Sequence, residues 1–121
     1  MDMNTAKAEA ALCIVGESSL TLFGKTLPQR LAVQFARAGL TRTLTPAEAR
    51  SHAGPLIIVR ADAVIDQPLV AGLLAKKDLI LLASDTGVPL AAHVDASHLP
   101  AIESAFAGGS IPVIAGVLAR A

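Results

Sequence analysis

Asp62, Asp66, the loop Gly16-Glu17-Ser18-Ser19 and three histidines are the places where residue type and spacing could support chemistry. Asp62 stands just past the apolar run Pro55–Arg60, at the carboxyl edge where open α/β sheets place their ligands. Asp66, four residues on, could join it in offering hard oxygen ligands to magnesium. It also precedes Pro68 and an apolar run, which is the position of a helix cap. Gly16 and Ser18 follow the first apolar run, where phosphates often sit at the start of the next helix. Neither GxGxxG nor GxxxxGK[ST] is present, so an ordinary strand-exit loop is the simpler reading.

Other clusters resolve into turns and caps. Asp85-Thr86-Gly87 spells an aspartic-protease triplet, but such enzymes pair two aspartates across a dimer and are nearly all β. Here the triplet falls between two apolar runs and predicts a hairpin turn. His93 and His98 lie five apart with Asp95 between them, which matches no standard zinc spacing, and His52 stands alone.

The elements that must position these groups follow from patterning. Residues 10–15 (AALCIV) form a continuous apolar run, the signature of a strand buried on both faces. After a loop over 17–25, Thr26 and Gln29 form a capping box with Pro28 in the first turn. Leu27, Leu31, Phe35 and Ala38 then recur at helical spacing, and Gly39 supplies a left-handed stop. A short strand within 40–44 and a brief helix over 46–50 come next. Pro55–Arg60 reads as a second buried strand. Asp66 caps a helix expected to turn Leu69, Leu73 and Leu74 inward, with Lys76 and Lys77 at its negative pole. Residues 78–83 and 88–94 predict an antiparallel hairpin, residues 100–107 a third helix, and 111–118 a final strand or helix start. The fold class is therefore α/β: a three-layer sandwich with a mixed, mostly parallel sheet and one antiparallel hairpin.

Composition narrows function. The 121 residues make one domain, and 53% apolar content excludes a disordered tail. Ten basic and ten acidic residues cancel, so no whole-molecule field recruits nucleic acid. Three phenylalanines, with no Trp or Tyr, cannot build a base-stacking platform. The lone Cys13 has no internal disulfide partner and falls in an apolar run, which suits a reducing, cytoplasmic setting. The apolar runs are strand-length, too short for a signal peptide or a membrane span.

Residues 23–31 (FGKTLPQRL), followed by Ala36-Arg37-Ala38-Gly39-Leu40, resemble a segment of sugar-phosphate nucleotidyltransferases. Residues 56–68 (LIIVRADAVIDQP) resemble that family's strand ending in a metal-binding aspartate, then D-x-P. The resemblance implies that Asp62 takes the place of the aspartate holding magnesium against nucleotide phosphates. The chain as a whole resembles the nucleotidyltransferase-like domain that precedes a membrane-embedded CDP-alcohol phosphatidyltransferase in some bacterial proteins. That likeness implies a longer parent chain, a membrane-embedded transferase as partner, and a place at the inner membrane face.

The departures set the functional expectation. The family grips a triphosphate with a basic, glycine-rich loop, whereas residues 16–23 hold no basic residue and no second glycine. Phosphoryl transfer depends on positioning and neutralising that triphosphate. The expectation is a reduced, non-catalytic domain with a binding, regulatory or assembly role and no resident cofactor. Magnesium enters only if a vestigial site survives at Gly16, Ser18 and Asp62. A homodimer is compatible with this reading, and a small active magnesium-dependent nucleotidyltransferase is the alternative.

Overall fold

The computed structural model describes residues 10–16, 21–22, 24–108 and 118–120. Strand β1 (Ala11–Val15) is fully apolar, and its first three residues are buried. A two-rung hairpin, β2 (Thr21–Leu22) and β3 (Lys25–Thr26), leads into helix α1 (Leu27–Arg37). The capping box forms as the sequence predicts: Gln29 N–H donates to Thr26 Oγ1 at 3.3 Å, and Thr26 N–H donates to Gln29 Oε1 at 2.9 Å. Gly39, at φ +100°, takes the left-handed turn that ends the helix. Leu27, Leu31 and Phe35 are buried, with Phe35 fully enclosed.

The chain continues through β4 (Thr43–Leu44), α2 (Pro46–Ala49), β5 (Pro55–Arg60), α3 (Gln67–Ala75), β6 (Leu79–Leu82) and β7 (Pro89–Asp95). A short 3₁₀ turn (Ala96–His98) then runs into α4 (Leu99–Gly108), and β8 (Leu118–Arg120) closes the sheet. The six strands lie in the order β4-β1-β5-β7-β6-β8. β1 pairs parallel with β4 and β5, and β8 parallel with β6, while β7 runs against both of its neighbours. The sheet is thus mixed and mostly parallel. The expected hairpin is β6–β7, with β7 inserted between β5 and β6.

Alternation along the strands divides the core in two. On one face Leu12, Ile57, Val59 and Leu81 pack with Leu31 and Phe35 of α1 and Val70 and Leu73 of α3. On the other, Cys13, Ile58, Ile80 and Val94 pack with Ala49 of α2 and Leu99 and Ile102 of α4. Helices on both faces make the three layers, and the full burial of Ile57 and Ile58 follows from that.

Several details differ from the sequence expectation. Leu69 is 47% exposed, and Val70 takes the inward place beside Leu73, with Leu74 half-buried. The segment QPLVAGLLA is apolar nearly all round, so no polar residue marks its outer face. Asp66 holds the N-cap position of α3 but makes no side-chain cap hydrogen bond. Pro68 has no N–H to give it, and the Leu69 N–H donates instead to the Asp66 carbonyl at 3.0 Å. The 17–25 stretch, read as a loop, contains β2 and the start of β3. The 3₁₀ turn before α4 was also unmarked in the sequence. Residues 111–117 of the final apolar run lie outside the described residues, and Leu118–Arg120 is strand. Among the described residues no helix is long and apolar enough to cross a membrane.

Candidate functional site at the carboxyl edge of β1 and β5

The chain leaves β1 toward β4 on one side and returns past it to β5 on the other, so the strand order reverses between the parallel neighbours β1 and β5. A crevice opens outside the carboxyl ends of two strands at such a switch point, the place where open α/β sheets bind ligands. A cleft of about 280 Å³ lies there, lined by Val15, Gly16, Arg60, Asp62, Glu103 and Phe106 together with Ala61 and Ala107. The structure therefore brings Gly16 and Asp62 to one site, as the strand pattern predicts. Ser18, the third predicted residue, lies outside the described residues.

Backbone geometry fixes the floor. The Ala61 N–H donates to the Val15 carbonyl at 2.9 Å, extending the β1–β5 ladder one step past the strand end. Gly16 then turns at φ +92°, and a Cβ placed there would meet Ala61 Cβ at 4.0 Å. Any side chain at this position is strained by its dihedral more than by lack of room.

Asp62 is not a bare carboxylate. Arg60, two residues back on β5, holds both oxygens: Nε donates to Oδ1 at 3.0 Å and Nη2 to Oδ2 at 2.7 Å. A further Arg60 N–H, from Nη1, reaches the Pro89 carbonyl at 3.4 Å. The pair is half in solvent, with side chains 25% and 46% exposed. Asp66 does not line the cleft.

The opposite side is the last turns of α4. This helix presents its carboxyl end, the negative pole, to the cleft, the reverse of a phosphate-binding helix. Glu103 on that helix is paired with Arg50, at the end of α2, across 3.3 Å. Nothing in the local sequence marks Arg60, Glu103 or Phe106 as lining a site, apart from the two-residue spacing of Arg60 and Asp62 at a strand end. Glu103 and Phe106 needed the path of α4 across the sheet.

His93, Asp95 and Asp85 have structural partners. His93 is buried on β7, and its Nδ1 donates to the Leu73 carbonyl at 2.8 Å, fastening α3 to the sheet. Asp95 accepts from Ser97 N–H at 3.0 Å, and hydrogen bonds from Ser97 hold its carboxyl below the usual range. Asp85 Oδ1 accepts from Thr86 N–H at 2.9 Å in the turn that Gly87 completes at φ +74°. Among the described residues no cluster of three or more His, Cys, Asp or Glu could hold a metal ion. Cys13 is buried, and its thiol is pushed up to about 11, chiefly by burial and secondarily by Glu103.

Comparison of the chain with protein-family models, curated proteins and solved structures returned no match.

Proposed function

We propose that the chain is a reduced, non-catalytic nucleotidyltransferase-like domain. Its role is binding, regulation or assembly within a CDP-alcohol phosphatidyltransferase protein, on the cytoplasmic side of the membrane. The observation that carries this reading is the two-point grip of Arg60 on Asp62 at the switch-point cleft. A nucleotidyl transferase must neutralise a triphosphate with cations or metal and hold it in line. Arg60 is the only cation among the described residues lining the cleft, and its guanidinium is already spent on Asp62. The same contact covers both Asp62 oxygens, Arg50 holds Glu103, and two carboxylates each neutralised by an arginine fit a magnesium ion poorly. The carboxyl end of α4 adds negative potential where phosphates would lie. The resemblance of residues 23–40 and 56–68 supplies the family, and that of the chain as a whole supplies the membrane-embedded partner.

The test is a pyrophosphate-release assay with magnesium, CTP and a polyol phosphate, run beside an amide NMR titration with magnesium and CTP. The expected result is no turnover and no saturable shifts at Gly16, Ala61 or Asp62. Turnover abolished by Asp62→Ala would establish the alternative, a small active magnesium-dependent nucleotidyltransferase.

A further inference from the structure

A second depression, of about 590 Å³, lies at the carboxyl end of β6. Val64 and Leu69 contribute to it from the β5–α3 connection and the first turn of α3. Leu82, Leu90, Ser84 and Asp85 come from the β6–β7 hairpin. Val64 and Leu69 are 58% and 47% exposed, the two most exposed large apolar side chains among the described residues. Both fall in this one groove. Such side chains scattered singly need no explanation, whereas two converging on a leucine-lined groove mark an interaction surface.

Charge selects the occupant. No basic residue is among the described side chains that line the groove, and its polar end is Asp85. Asp66 lies in the chain between Val64 and Leu69, exposed, at a cap position where its carboxylate caps nothing. We infer that this groove docks an apolar peptide segment bearing lysine or arginine. Its apolar side chains would cover Val64, Leu69 and Leu90, and its cation would meet Asp85 at the polar end of the groove. Segments of this composition flank the cytoplasmic ends of membrane helices. The inference extends the binding role proposed above without resting on the nucleotidyltransferase resemblance. Its readout, at residues 64–69 and 81–90, is separate from the nucleotide titration at Gly16 and Asp62.

The experiment is an amide NMR titration of the 121-residue chain with a short amphipathic peptide of leucine and lysine. A leucine–glutamate peptide of the same pattern is the control. Saturable shifts at residues 64–69 and 81–90 with the lysine peptide, and much weaker ones with the glutamate peptide, are expected. Leu69→Ser should weaken binding about tenfold or more, the effect of losing a leucine anchor. Asp85→Asn should weaken it less, while flattening its dependence on salt. Leu69 is exposed, so its replacement should leave the melting curve unchanged. Equal binding of both peptides, or no shifts in the groove, would overturn the inference. So would groove shifts that grow with protein concentration alone, which would make the surface an interface between copies. Shifts produced only by anionic phosphatidylglycerol vesicles would assign it to lipid instead, and overturn it as well.

Discussion

At the residue scale, Asp62 shows how a position can be legible and its chemistry hidden. The apolar run Pro55–Arg60 placed it at a sheet edge, and it lies there, beside Gly16. What the sequence did not show is that Arg60 folds back along the same strand end to claim both oxygens. A pair half in solvent contributes little, about 0.2–1 kcal/mol. Asp62→Ala should therefore lower stability by no more than about 1 kcal/mol in urea unfolding. A loss of several kcal/mol would mean that the pair holds the β1–β5 edge together. Cys13 behaves in the opposite way, because it is buried between the sheet and the α2–α4 layer. Burial raises its folded pKa to about 11, so the protonated thiol is the native form. Its stabilising effect is complete below the free thiol range, near about 8.5, and is lost as pH climbs from there toward about 11. Native protein at pH 8 should leave Cys13 unreactive toward a disulfide reagent, and denaturant should release one thiol per chain. Rapid reaction in the native state would contradict the burial.

At the element scale, α1 was the most legible part of the chain because its signals agree. A capping box, a proline in the first turn, a stripe of apolar residues and a terminal glycine all mark the same boundaries. Phe35 is the largest fully enclosed side chain, and it joins α1 to strands β1 and β5 within one core. Phe35→Ala should cost about 3–5 kcal/mol, read as a shift of the urea midpoint with unchanged slope. A cost below about 1 kcal/mol would place that face of α1 in solvent, against the packing described. Helix α3 was legible in extent and not in orientation. Its apolar residues surround it, so periodicity could not choose between Leu69 and Val70 for the inward face. The packing that decides the matter comes from elsewhere: Gln34 of α1 donates through Nε2 to the Ile65 carbonyl at 2.5 Å, and Gln67 Nε2 donates to the Gln34 carbonyl at 2.8 Å. Those two contacts hold the start of α3 against α1, and both are about thirty residues apart in sequence. The β2–β3 hairpin was illegible for a simpler reason, since two-residue strands carry no period.

At the scale of the molecule, strand identity was legible and strand order was not. Apolar runs announce β1, β5, β6 and β7, but nothing local states that β7 enters between β5 and β6 or that β1 lies between β4 and β5. Those neighbour choices create both the switch-point cleft and the apolar groove, so the composition of each site depended on long-range pairing. The same order predicts how the structure opens. β5 is paired along nearly its full length to β1 on one side and β7 on the other, and four of its six residues are buried. β7 is likewise paired on both sides and anchored through His93 to α3. The outer strands, β4 and β8, have two and three residues and one paired edge each. Short edges open in local fluctuations, while a doubly paired, doubly covered strand exposes its amides only when the domain unfolds. Native-state hydrogen exchange should therefore rank the amides of Ile57, Ile58 and Ala92 slowest, with free energies equal to that of global unfolding. Amides of Thr43 to Leu44 and of Leu118 to Arg120 should exchange by smaller openings that denaturant hardly affects. If β7 exchanged as fast as the edges, its place at the centre of the sheet would be wrong, and the groove beside β6 would lose the wall that Leu90 provides.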